Sequence, residues 1–318
     1  MTTRPFGQTG LVTSEVGLGT WALASQIYGA VGRADALGTI RAALDAGITF
    51  FDTAPLYGDA ERDGVAEALL GQGLGADRDR VLISSKFGRY STRPDGRFDA
   101  QRARESVEGS LRRLGTDHLD VLFFHSPFGP EDIADDVWEE LDRLRDEGKV
   151  RVAGHSVSMF EQTEGMARAW AAERKIGAVQ VVYSLMNRQA AALIGEMAEA
   201  GVGVVARESL ANGFLSGTLG RDAAFGAGHL NARYSSGEIE ERVAYAERLG
   251  ALVRGDVETL PQAAFRWVLD DPAVSLVLSG ASTPAQVRDG AAASAAAPFT
   301  PSERDWAEAV HLRDFQAA

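Results

Sequence analysis

Short apolar runs alternate with amphipathic stretches along almost the whole chain. The strand-like runs are residues 15–21 (EVGLGTW), 48–54 (ITFFDTA), 81–87 (VLISSKF), 119–125 (LDVLFFH), 150–156 (VRVAGHS), 178–184 (AVQVVYS), 202–208 (VGVVARE) and 274–280 (VSLVLSG). Most are apolar at successive positions, as expected for strands of a parallel sheet covered on both faces. Helical periodicity runs over 34–47, 99–115 and 135–148, and each stretch ends in glycine, the residue that most readily adopts the left-handed conformation closing a helix. Thr259, Thr283 and Thr300 each stand three residues before a Gln or Glu, with a proline in between. That is the signature of a capped helix start.

Strands that each lead into a helix predict an α/β fold of the (β/α)8 TIM-barrel type rather than an open doubly wound sheet. The expectation is one domain over 1–318. Residues 211–237 are glycine-rich and aperiodic. They predict a long loop after strand seven, on the barrel face where active sites sit. The stretch from Thr300 predicts an extra C-terminal helix.

Composition then narrows the function. The chain has no cysteine, which removes disulfides, thiolate metal sites and cysteine nucleophiles together, and fits a reducing cytoplasm. The formal net charge is −13, so the overall field repels polyanions and argues against nucleic acid as a partner. No apolar stretch is long enough to span a bilayer and the first residues carry no secretion-type run. The expectation is a cytoplasmic protein with no membrane partner, and the residues do not fix its oligomeric state.

Candidate chemistry lies where ionisable residues interrupt the apolar runs just before a loop. Asp52 and Tyr57 (FFDTAPLYG), Lys86 (LISSKFG) and His125 (LFFHSP) stand at the ends of three consecutive strands. Singly, each has a plain structural reading: an Asp52–Lys86 ion pair, a satisfied interior His125, a loop Tyr57. Together they point to one pocket. A lysine ammonium beside a phenol favours the phenolate and lowers its pKa. Asp52 would orient Lys86, and a neutral His125 would hydrogen-bond an oxygen gaining negative charge. The set holds neither a cysteine or serine nucleophile nor a metal cage. It is suited to protonating an oxygen while hydride arrives at the attached carbon.

Those residues, with VGLGTW (16–21), Gly154-His155-Ser156, VQVVYSLMNR (179–188), LANGFLSG (210–217) and LSGASTPAQV (278–287), resemble the aldo-keto reductases from end to end. The resemblance implies a barrel without metal that binds NADP(H) or NAD(H) and acts on a small-molecule carbonyl or alcohol. It implies Asp52, Tyr57, Lys86 and His125 as the catalytic tetrad. It also implies nucleotide contacts from Thr20, Trp21, Asp52, Ser156, Gln180, Arg207, Ser209, Leu210, Gly280, Ser282, Gln286 and Asp289. In the family an asparagine usually follows the strand-five serine, where this chain has Val157, and another follows the adenosine-side acid, where it has Gly290. Arg207 stands where many members stack an aromatic ring on the nicotinamide. Its other reading is a rim salt bridge to Glu208. Ser282 stands where one branch carries an arginine, so reduced NADPH bias and real use of NADH are expected. Trp21, Tyr28, Phe87, Tyr90 and Phe128 are the candidate substrate-pocket aromatics.

The leading expectation is therefore an NAD(P)H-dependent reductase or dehydrogenase for aldehydes, ketones or sugars. A cofactor-binding regulatory subunit with little turnover is the alternative. An unrelated barrel using Lys86 as a Schiff-base amine is a third.

Overall fold

The computed structural model describes residues 1–24, 31–59, 61–93, 95–174, 176–226 and 228–315. A short antiparallel hairpin, β1 (Thr3–Pro5) and β2 (Val12–Ser14), precedes eight parallel strands. These are β3 (Val16–Gly19), β4 (Phe50–Asp52), β5 (Leu82–Phe87), β6 (Leu119–His125), β7 (Val150–Ser156), β8 (Ala178–Val182), β9 (Gly203–Arg207) and β10 (Leu276–Ser279). They pair in sequence order, and β10 closes the ring onto β3. The expected (β/α)8 barrel is what forms, each strand falling inside its apolar run.

The two faces of each strand divide the core. Inward positions Phe50, Val121, Phe123, Val205 and Leu276 fill the barrel, and Phe6 from the hairpin closes it from the end opposite the catalytic loops. Outward positions Phe51, Ile83, Leu122, Phe124 and Val204 pack under the helices in a larger layer. Both layers are wholly buried, which explains the near absence of polar alternation along these strands.

The helices end where glycine predicts. Gly47, Gly115 and Gly148 have φ of 81°, 67° and 72° behind helices Arg33–Asp45, Ala100–Leu114 and Asp136–Asp146. Thr259, Thr283 and Thr300 cap helices Leu260–Leu269, Pro284–Ala292 and Pro301–Asp314. The reciprocal box with its side-chain return bond closes at Thr300 through Glu303. At the other two the glutamine carbonyl turns elsewhere, Gln262 to the Glu258 N–H and Gln286 to the Ser282 N–H.

The predicted loop 211–237 contains the short turns Ala211–Ser216 and Leu230–Arg233. It leads into an additional helix, Ser236–Leu249, opened by a Ser235–Glu238 capping box. That helix and Pro301–Asp314 share a separate apolar cluster built on Phe214, Tyr245, Leu249 and Val310.

Candidate active site

Alternation along the strands decides which side chains reach the barrel mouth. In β5, Ser84 and Lys86 point inward while Ser85 and Phe87 point out to the helices. In β6 the same period turns His125 inward, and the strand register sets His125 beside Ser156 and Ser156 beside Gln180. Tyr57 arrives from the turn after β4, fixed by its N–H to the Ala54 carbonyl at 3.0 Å and by the Ala66 N–H to its own carbonyl at 2.9 Å.

The four expected residues meet. Lys86 Nζ donates to Asp52 Oδ2 at 2.7 Å, to the Thr53 carbonyl at 3.0 Å and to Tyr57 Oη at 3.0 Å. The His125 ring stands edge-on to the Tyr57 ring, 5.9 Å between centroids. Trp21 stacks on that ring, 6.1 Å between centroids. Asp52 is tied further by Ser84 Oγ at 2.8 Å and Gln180 Nε2 at 2.9 Å, both to Oδ1. Gln180 reaches it from across the barrel, while its own carbonyl accepts from Ser156 Oγ at 3.3 Å. Thr20 Oγ1 donates to the Asp52 carbonyl at 3.0 Å. Removing either partner of the buried Asp52–Lys86 pair would leave an uncompensated charge, at a cost of about 3–5 kcal/mol.

Burial and charge oppose one another here. Burial alone would push Lys86 down, but Asp52 and Tyr57 outweigh it and hold the ammonium above its ordinary value. Burial raises Tyr57, Lys86 pulls it back, Asp52 adds to the rise, and the phenol ends above its usual value. Lys86 thus lowers the phenol as expected, yet the net direction is the reverse because desolvation of the phenolate dominates. The Tyr57 ring keeps some exposure while its hydroxyl lies at the buried end. His125 is held well below its usual value, first by burial and then by the positive charges of Lys86, Arg89 and Arg207. It stays neutral, as expected, and its Nδ1 is buried with no partner among the described residues.

The remaining expectations divide. Arg207 forms an ion pair with Glu208, and its Nη2 donates to the Val157 carbonyl at 3.1 Å, so the rim salt bridge is present. Val157 itself is buried. Glu208, Ala211 and Asn212 all have positive φ, a run uncommon outside glycine. Within it Ser209 Oγ donates to the Tyr183 carbonyl and Leu210 is half-buried. Gly280 lies open: a Cβ there would meet nothing within 4 Å. Ser282 and Gln286 bond to each other. Asp289 turns toward helix Leu260–Leu269, accepting from Thr259 Oγ1 at 2.9 Å and Gln262 Nε2 at 2.8 Å. Gly290 has a packing reason, since a Cβ there would sit 2.7 Å from the Phe265 ring.

Two expected pocket aromatics belong elsewhere. Phe87 is fully buried on the outer face, between Phe98 and Phe124. It is one residue from Lys86, and the two-residue period turns it to the opposite side. Tyr90 is buried with its hydroxyl on Ser106 Oγ of helix Ala100–Leu114 at 2.9 Å. Phe128 is 54% exposed with the Arg89 guanidinium over its ring. Tyr28 lies outside the described residues. Two site neighbours were not anticipated. Ser84 shares the inward face of β5 two positions before Lys86, a spacing that could have found it. Arg89 bonds the Ser126 carbonyl at 2.6 Å, a tertiary contact with no sequence signal.

A closed barrel with an Asp–Tyr–Lys–His cluster at its mouth defines a class of protein, and residues 15–310 match the Aldo/keto reductase family. The chain belongs to that family and is an NAD(P)H-dependent oxidoreductase. It is 30% identical over 288 residues to the aldo-keto reductase YhdN of Bacillus subtilis, covering 88% of this chain and 84% of that one. It is 29% identical over 309 residues to the NADH-specific methylglyoxal reductase of Escherichia coli, covering 91% and 92%. Among solved structures, the glycerol dehydrogenase AKR11B4 of Gluconobacter oxydans matches with TM-score 0.82 at 26% identity, covering 98% and 95%. The holo form of the aldo-keto reductase AKR11C1 from Bacillus halodurans matches with TM-score 0.79 at 25% identity, covering 98% and 96%. No described helix is long and apolar enough to cross a membrane.

Proposed function

We propose that this protein reduces a small aldehyde, ketone or sugar carbonyl, with Tyr57 as the proton donor, in the cytoplasm and with NADH as a competent cofactor. The observation that carries the reading is Lys86 Nζ placed at once 3.0 Å from Tyr57 Oη and 2.7 Å from Asp52 Oδ2. A phenol held above its ordinary value remains protonated near neutral pH, the form that reduction requires.

The residues at the mouth fit a dinucleotide. Ser156 and Gln180 offer a paired hydroxyl and amide for a carboxamide. The buried Arg207 Nε lacks a partner among the described residues. The left-handed run around Ser209 and Leu210 presents backbone of the kind that cradles phosphate. Space beside Gly280 suits an adenosine held by Ser282 and Gln286, while Asp289, already engaged by Thr259 and Gln262, contributes less. The chemistry a reduced nicotinamide supplies when bound is hydride.

Tyr57 gives its proton to the substrate oxygen as the carbon is reduced, and the Lys86 ammonium stabilises the phenolate left behind. Neutral His125 hydrogen-bonds the same oxygen while its charge grows. Asp52 keeps Lys86 charged and in place. Trp21, stacked on Tyr57, and exposed Phe128 border the substrate. No arginine stands at Ser282 to meet a 2′-phosphate, which favours NADH. A relative named as NADH-specific points the same way.

The test follows loss of reduced-nicotinamide absorbance with NADH and NADPH against a panel of aldehydes, ketones and sugars. The reading expects turnover, with kcat/KM for NADH at least matching that for NADPH. Tight nucleotide binding with no turnover on any substrate would overturn it and favour a regulatory role.

A further inference from the structure

A second cavity opens beside the loops that follow β8 and β9, between helix Ser236–Leu249 and the C-terminal helix. Its volume is about 510 Å³, within the range that accommodates small ligands. It shares Glu208, Ala211 and Asn212 with the left-handed run proposed above to cradle the dinucleotide's phosphates, but Ser156, Gln180, Arg207, Ser282, Gln286, Trp21 and Phe128 do not line it. Its charged lining is Arg188, Arg233, Arg242 and Glu208, a positive excess in a chain of net charge −13.

The arginines differ in their partners. Arg188 pairs with Glu308 and packs on Trp267. Glu208 has its two carboxylate oxygens on Arg207 and Asn212, so its charge is already compensated. Among the described residues neither Arg233 nor Arg242 forms an ion pair. Arg233 donates to the Tyr234 hydroxyl at 2.9 Å. Arg242 lies against the rings of Tyr234, Phe315 and Phe214, with its carbon 4.2, 5.4 and 5.7 Å from their centroids. Its Nε is buried with no hydrogen-bond partner among the described residues. Rings attract the cation but accept few of its N–H bonds. A guanidinium held on aromatic walls, with donors unspent and facing a cavity, is poised for an oxyanion.

The cavity at the opposite end of the barrel makes the contrast. It is of similar size, about 540 Å³, and also carries two arginines. There Arg4 is met by Glu15 and by the Leu269 and Val274 carbonyls, and Arg266 by Asp270. Among the described residues, that cavity has no unspent charge.

We propose that the cavity between β8, β9 and the two extra helices is a second ligand site, for a small organic anion. The ligand is a carboxylate or phosphate on a short carbon body, bound through Arg242 and Arg233. Asn187 and Gln189 on the cavity wall supply neutral hydrogen bonds to that body. His311, pushed down to about 4 by burial and then by Arg188, adds no charge near neutral pH.

The test is calorimetric titration of the protein saturated with reduced nicotinamide dinucleotide, so that the cofactor's own phosphate positions are filled. Succinate and inorganic phosphate are the two probes, and their relative affinity tells a carboxylate site from a phosphate site. At least one should bind the wild type with one-to-one stoichiometry. Arg242→Met and Arg233→Gln should each weaken it by about tenfold or more, as expected for loss of a charge-assisted bond. Arg242→Lys should restore part of the affinity. Arg233 is exposed, so its variant reads out even where Arg242→Met impairs folding. Absence of binding by both anions, or equal binding by wild type and both variants, overturns the proposal.

Discussion

At the ends of β4 and β5 the charged side chains are held on several sides: Asp52 by Ser84, Gln180 and Lys86, and Lys86 by Asp52, the Thr53 carbonyl and Tyr57. At the ends of β9 and β10 the polar groups turn to local partners instead, Arg207 to Glu208, Ser282 to Gln286, Asp289 to Thr259 and Gln262. The first region is buried and its geometry follows from strand register. The second is a rim of loops and helix starts, where one substitution changes a contact without disturbing the barrel. On the proposed reading, chemistry falls where side chains are most fully hydrogen-bonded, and cofactor choice where a contact is most easily altered.

The contrast can be broken from the buried side first. Phe87 packs between Phe98 and Phe124 directly behind the Lys86 strand face. Phe87→Ala should cost about 3–5 kcal/mol of stability through lost burial and the cavity left behind, read from the denaturant midpoint. The folded fraction should keep its KM, because the ring faces away from the mouth. A loss under about 1 kcal/mol would show that the layer behind the strand contributes little to stability at this position.

A smaller effect sharpens the rim. Ser282→Arg should improve NADPH binding relative to NADH by about tenfold, the worth of one charge-assisted bond to a 2′-phosphate. Titration by nucleotide fluorescence checks it. An unchanged ratio would place cofactor choice elsewhere.

Legibility in the sequence followed the same division. The eight strands could be read because buried strands are unbroken apolar runs, and Asp52, Lys86 and His125 because an ionisable residue in such a run stands out. The hairpin Thr3–Pro5 with Val12–Ser14 escaped notice, since three-residue strands carry too little periodicity. Helix Ser236–Leu249 adjoined a stretch read only as loop. Phe87 and Tyr90, candidate pocket aromatics in sequence, lie under the helices because strand alternation turns Phe87 outward and the Tyr90 hydroxyl bonds Ser106. The sign of the Tyr57 shift needed burial, which a motif does not report. The glycine at 88 is a turn the sequence could not explain: its φ of 104° and the Phe98 ring, 2.2 Å from where a Cβ would stand, leave room for no side chain.

The most direct test of the account is Tyr57→Phe, which removes one hydroxyl and leaves the Lys86–Asp52 pair in place. Turnover should fall by about 10²–10⁴-fold, the usual contribution of a positioned acid, while the nucleotide dissociation constant stays the same. A variant that turns over substrate like the wild type would contradict the assignment of Tyr57 as proton donor, and with it the mechanism built on this corner of the barrel.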